Sequence, residues 1–191
     1  MRIGLDFDNT IGDFLSLLMD VTVERTGFDL RAAWATGGDG QALAHAAIGS
    51  DRLDALIAEI DQHHMVRMLP VPGAIEVTRR LASRHELVIV TARSAAESVS
   101  ARDWLDRHEI PVADLVPTNY ASKAPHASNL GLAMHLDDNA TVLADFDEAH
   151  PTIPVLLAHP LNARSPRAAH WRSVEDWLAF ERLVQSLEQE R

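Results

Sequence analysis

Ile3-Gly4-Leu5-Asp6-Phe7-Asp8-Asn9-Thr10 is the stretch on which the fold turns. Its first half is a short apolar run that reads as a buried strand. Its second half gathers carboxylates and turn-forming residues where that strand stops. In extended backbone, residues two apart point the same way, so Asp6 and Asp8 are placed to face one crevice. Leu87-Val88-Ile89-Val90 reads as a second strand, continuous and β-branched as a parallel strand covered on both faces should be. It runs out into Thr91-Ala92-Arg93. Leu115-Val116, Ala133 to Leu136 and Ile153 to Ala158 are three further strand candidates, the last weakened by Pro154. The fourth strand ends in Asp137-Asp138-Asn139.

Helical stretches fit between these runs. Pro72-Gly73 opens one that reaches about Arg84, with Ala74, Val77 and Leu81 on one face. Ala101, Leu105 and His108 line another. Val174, Trp177, Phe180, Val184 and Leu187 form a stripe near the C-terminus. Alternating strands and helices predict an α/β fold, a Rossmann-like parallel sheet flanked by helices.

The stretch 13–71 breaks this rhythm, being far longer than a strand–helix–strand crossover needs. Leu53, Leu56, Ile57 and Ile60 hold i, i+3, i+4, i+7 spacing, and Thr36-Gly37-Gly38-Asp39-Gly40 interrupts the helical pattern. The reading is a small helical cap, residues 13–71, inserted after the first strand, with residues 1–12 and 72–191 forming the core. Phe14 to Val23 is apolar around most of its circumference and is covered by the core, the cap or a second subunit. His63 and His64 diverge in direction on a helix, so they read as a solvated face rather than a metal pair. No strand leads into Gly37-Gly38-Asp39-Gly40, so it is not a phosphate cradle.

Chemistry in open α/β sheets sits at the carboxyl ends of the strands. Four acids collected there would repel one another unless a counter-charge intervened. Magnesium takes oxygen ligands and is commonly held by one or two carboxylates plus a substrate phosphate, so the pattern asks for Mg2+. Composition narrows the rest. The 191 residues carry a formal net charge of −11, which repels a nucleic-acid polymer, while a small phosphorylated substrate needs only local cations. No apolar run reaches the roughly 20 residues that span a bilayer. No signal-peptide pattern opens the chain, and there are no cysteines to make disulfides, so a cytoplasmic protein is expected.

These residues resemble the motif set of the haloacid dehalogenase superfamily. Leu5 to Thr10 is similar to its first motif, Val90-Thr91 to the second, Lys123 to the third and Leu136 to Asn139 to the fourth. The second aspartate, Asp8, is the mark that separates phosphatases and phosphomutases of that superfamily from true dehalogenases. Within it the 5′(3′)-deoxyribonucleotidase branch is similar in length, in its helical cap, in Asp13-Phe14, in Pro70-Val71-Pro72-Gly73-Ala74 and in Asn162, Arg167 and Trp171. Asn9-Thr10 and Ala92 depart from that branch, where Gly-Val and often Ser stand. Phe14, Phe28 and Trp34 are the aromatics the cap offers to a base.

The resemblance implies a division of labour. Asp6 attacks phosphorus, and Asp8 protonates the leaving group and later activates water. Mg2+ is held by Asp6, the backbone carbonyl of Asp8, and Asp137, with Asp138 behind them. Asn9, Thr91, Ala92 and Lys123 hold phosphate, and Phe14 and Arg93 are candidate substrate contacts. The expected activity is Mg2+-dependent hydrolysis of a small phosphate monoester through an aspartyl phosphate, with a nucleotide as the leading substrate. A sugar phosphate or other metabolite is the alternative, and a non-catalytic phospho-ligand or partner-binding protein on the same fold is a third reading.

Overall fold

The structure is a computed structural model and describes residues 1–35 and 45–190, the last three of the first segment as backbone only. Thr36 to Gly40 and the side chain of Trp34 therefore lie outside the described residues. The chain divides into two compact units, Met1–Gly12 with Pro70–Arg191, and Asp13–Leu69. The division falls before Pro70 because Val71 N–H donates to Ile11 O at 2.7 Å, tying the returning chain to the first loop.

The first unit holds a six-stranded parallel sheet in the order β3-β2-β1-β4-β5-β6. The strands are β1 (Arg2–Leu5), β2 (Glu86–Thr91), β3 (Asp114–Pro117), β4 (Met134–Asp137), β5 (Ile153–Leu157) and β6 (Arg172–Val174). β1, β2 and β3 run to one side, and the chain then crosses to place β4 on the other side of β1. The carboxyl ends of β1 and β4 thus form the point where strand order reverses, the crevice in which such sheets bind ligands. Register is set across it, with Leu5 opposite Ile89 on one side and Leu136 on the other.

Pro154 is accommodated inside β5. Ile153 N–H donates to Ala133 O, so the proline's missing donor faces the β6 side, where pairing begins only at Val155. β6 was not anticipated. Two of its three residues are exposed, so it has no apolar run to read, and its one buried residue, Val174, belongs to the strand rather than to the helical stripe that follows. That helix, Trp177–Gln189, starts instead after Asp176, whose carboxylate accepts from Ala179 N–H at 2.7 Å. The helix Ala74–Ala82 buries Ala74, Val77 and Leu81 as the spacing requires, and Gly73 before it adopts φ 84°, which a side chain would strain.

The second unit is helical. Phe14–Thr26 is capped by Asp13, whose carboxylate accepts from Ser16 N–H at 3.1 Å. Leu30–Ala35 and Ser50–Glu59 follow, the latter continuing into a π-turn over Ile60–His64. Leu15, Met19, Leu30 and Leu53 form its core, with Phe28 packed against them. His63 is exposed as a solvated face requires, whereas His64 is largely covered, its Nε2 lying 3.0 Å from Glu59 Oε1.

Gly4 sits in the centre of β1, where a Cβ would stand 2.5 Å from Leu132 Cδ1 and 2.7 Å from His135 Nδ1. Overpacking of this kind costs about 1–3 kcal/mol. Gly4→Ala should therefore lower the urea unfolding midpoint by the corresponding amount, and an unchanged midpoint would show that the sheet has room to spare.

Candidate active site

Asp6 follows β1, and its N–H donates to Leu136 O at 2.8 Å, so pairing with β4 continues to the edge of the crevice. Asp137 ends β4 and Asp138 follows it. One carboxylate oxygen from each of Asp6, Asp137 and Asp138 lies within 4.8 Å of the other two, and all three residues are buried. Lys123 enters from the start of the helix Ala124–Asn129. Its Nζ donates to Asp6 Oδ1 at 2.5 Å and to Asp137 Oδ2 at 2.8 Å. Asp137 is held twice more, by His135 Nε2 at 3.1 Å from Oδ2 and by Asn139 N–H at 2.8 Å from Oδ1. Asn162 donates from Nδ2 to Asp138 O and Leu157 O, both at 2.7 Å, and so fixes the chain at Asp138.

Charge balance decides what this arrangement can hold. Burial works against the Lys123 charge, but Asp137 and Asp6 outweigh it and push its pKa upward. Burial likewise raises Asp137, yet Lys123 and the His135 hydrogen bond prevail and hold it down at about 2. Asp6 is pushed up to about 7, chiefly by burial and then by Asp137 and Asp8, with Lys123 opposing. Asp138 is raised well above the carboxylate range by burial, with Asp137 and Asp6 adding to it. One ammonium thus faces three buried acids, an excess of two negative charges when all are ionised. The donors are all hard oxygens, so the set fits a divalent cation of the magnesium and calcium class. Asp138 stands among the converging acids, rather than behind them.

Asp8 lies apart from that trio. Arg93 forks onto it, with Nε 2.8 Å from Oδ2 and Nη2 2.7 Å from Oδ1, and the guanidinium carbon sits 5.3 Å from the Phe7 ring centroid. Arg93 is thus a buried partner of Asp8. Thr91 Oγ1 accepts from Arg93 N–H at 3.3 Å, which leaves its hydroxyl proton to donate elsewhere. Ala92 O accepts from Tyr120 N–H at 2.7 Å, holding the loop after β3 against the end of β2. Asn9 has φ 59°, a left-handed conformation that asparagine tolerates, and its N–H donates to Gly12 O at 2.7 Å. Trp177 Nε1–H donates to Thr10 O at 2.9 Å, anchoring the loop that carries Asp8. Phe14 opens the first helix of the other unit.

Three supporting residues carried weak signals. His135 is a polar residue two before Asp137, on the same face of an otherwise apolar strand. Asn162 stood only as part of a resemblance, and Trp177 only as part of a helical stripe.

The family model described as 5′ nucleotidase, deoxy (Pyrimidine), cytosolic type C protein matches residues 1–184. The chain belongs to this family. With membership comes the activity class, phosphoric monoester hydrolysis. No curated protein matches the chain. Solved structures share its fold at low identity. A haloacid dehalogenase-like hydrolase from Streptococcus pneumoniae is 13% identical at a TM-score of 0.63, with 97% of each chain covered. The YfnB protein of Bacillus subtilis, solved bound to magnesium, is 14% identical at a TM-score of 0.60, with 96% of this chain and 97% of that one covered. A HAD family hydrolase from Deinococcus radiodurans, with bound phosphate and sodium, is 16% identical at a TM-score of 0.57, with 98% of this chain and 95% of that one covered. Among the described residues of this nucleotidase-family chain, no helix is long and apolar enough to cross a membrane.

Lys123→Met would leave the buried acids without their ammonium, a loss worth about 3–5 kcal/mol when one partner of a buried pair is removed. Asp6 and Asp138 have raised folded-state pKa values, so the metal-free folded protein binds protons that the unfolded chain has released. The destabilisation of Lys123→Met should accordingly grow as pH rises through about 7. Urea unfolding across that window checks it, and a pH-independent loss would contradict the charge account.

Proposed function

We propose that this chain is a magnesium-dependent 5′-nucleotidase that hydrolyses small deoxynucleoside monophosphates through a phosphorylated Asp6 in the cytoplasm. The observation that carries the reading is the Lys123 ammonium bridging Asp6 and Asp137, with Asp138 beside them at the strand-order reversal. Membership of the nucleotidase family and the magnesium bound to the Bacillus subtilis protein support it.

The chain's own residues divide the chemistry as follows. Lys123 holds Asp6 by Oδ1 and keeps its carboxylate aimed into the crevice. An Asp6 oxygen bonds to phosphorus while the bond from phosphorus to the ester oxygen breaks. Asp8 gives that departing oxygen a proton, then takes one from the water that attacks phosphorus, and the phosphorus–Asp6 bond breaks to release inorganic phosphate. Both Asp8 oxygens accept from Arg93, which fixes the orientation of the carboxylate beside the reacting groups. The Thr91 hydroxyl and the N–H of Ala92, at the carboxyl end of β2, would donate to phosphate oxygens. Asp6, Asp137, Asp138 and the backbone carbonyl of Asp8 would hold Mg2+, which supplies charge stabilisation to the transferring phosphoryl group when bound.

A second reading has one observation in its favour. Phe28 is packed against the core of the Asp13–Leu69 unit, which takes its ring out of the aromatic surface that a base would stack on. A smaller leaving group, such as a sugar, would need less stacking surface. Turnover of deoxynucleoside monophosphates against sugar phosphates separates the two, with the nucleotides expected to be preferred at least about tenfold in kcat/KM, roughly 1.4 kcal/mol of discrimination. Asp6→Asn should abolish turnover while leaving the protein folded, and substantial residual activity would remove Asp6 from its role.

Metal binding should also report the raised acids. Asp6 and Asp138 give up protons on ligating a cation, so Mg2+ affinity should rise as pH climbs through about 7. Calorimetry in buffers of different ionisation enthalpy should show proton release, and its absence would contradict the assignment.

A further inference from the structure

His135 is a buried titratable side chain that the reaction scheme leaves unused. It is fully buried in β4 and its ring stacks on Phe146, with centroids 5.6 Å apart and planes 9° from parallel. Its Nδ1 has no hydrogen-bond partner, although no solvent reaches it. Room for the ring comes from the opposite strand, since a Cβ on Gly4 would stand 2.7 Å from that same Nδ1. Stranding a buried polar nitrogen carries its full desolvation penalty with no hydrogen bond in return. An apolar residue would fill the space against Phe146 without that cost. The useful end of the ring is the other one.

Nε2 lies 3.1 Å from Asp137 Oδ2. An ionised carboxylate only accepts, so Nε2 carries the hydrogen and the tautomer is fixed. Oδ2 also accepts from Lys123 Nζ at 2.8 Å, which fills its two lone pairs. Oδ1 accepts one hydrogen bond, from Asn139 N–H at 2.8 Å, and retains capacity for another partner.

We propose that His135 is a positioning residue whose Nε2–H saturates Asp137 Oδ2 and so commits Oδ1 to the divalent cation. The inference rests on the metal site of the proposed function. It assigns to the histidine what outer partners of metal-bound carboxylates do elsewhere: they fix the ligand's orientation before the ion arrives. Lys123 alone does not fix that orientation, because its ammonium is a point charge shared with Asp6.

The test is Mg2+ affinity by calorimetry on the full chain, which needs no turnover. His135→Leu keeps the bulk and loses the donor, and loss of such a partner weakens metal binding about 10–100-fold. His135→Asn stays polar, but its amide falls short of Asp137, so it should weaken binding similarly and serves if the leucine variant does not fold. His135→Gln places an amide N–H where Nε2 was and should recover affinity to within about threefold of wild type, a difference of roughly 0.7 kcal/mol. Rescue by Gln but not Asn is the signature that mere core packing would not give. Wild-type affinity in the Leu or Asn variant, or no recovery in Gln, overturns the positioning role while wild-type Mg2+ binding leaves the phosphatase reading standing. If wild type binds no Mg2+, both fall.

Discussion

The Lys123 ammonium, lodged between Asp6 and Asp137, is the interaction on which the rest of the site depends. It joins the strand that opens the sheet to the strand that lies beside it across the reversal of order. Without it, two carboxylates at adjacent strand ends would be buried together, and their mutual repulsion would work against the β1–β4 pairing. With it, the pairing continues through Asp6 N–H to Leu136 O at the edge of the crevice. The ammonium neutralises only part of the charge. Asp6 and Asp138, raised by burial, carry the remainder, and a group that brings two positive charges is what the fold leaves wanting.

A second pair works beside the first. Arg93 and Asp8 form a bidentate contact one loop away, so the site separates its acids into two electrostatic environments. One set shares an ammonium and converges. The other carboxylate has its own guanidinium and remains apart. That separation suits a reaction that asks one carboxylate to attack and another to move protons. The surroundings hold these groups still: Trp177 ties down the Thr10 carbonyl, Asn162 ties down that of Asp138, and Gly4 admits the His135 ring behind Asp137.

Much of this was legible in the chain. Parallel strands betray themselves by apolar, β-branched runs, and acids immediately after such runs mark the carboxyl edge. That logic singles out Asp6, Thr91 and Asp137 from the sequence alone. It could not see β6, because an edge strand with one buried residue leaves no run, and it lent Val174 to a helix that Asp176 in fact starts. Nor could it give the partners of Arg93, since a guanidinium near a strand end serves equally as an anion contact or as a carboxylate's mate until the geometry chooses. His135 was hidden for a related reason. A lone polar residue within a strand reads as tolerated, and its purpose shows only when the atom facing Nε2 is known.

Phosphoryl transfer to Asp6 is the central claim, and rapid acid quenching of wild-type enzyme during turnover of a deoxynucleoside monophosphate with Mg2+ tests it most directly. Peptide mapping of the quenched protein should find a phosphoryl group on the peptide bearing Asp6, labile to base and absent when magnesium is withheld. Brisk turnover with Asp6 unmodified, or with the phosphoryl group on any other side chain, would contradict the account.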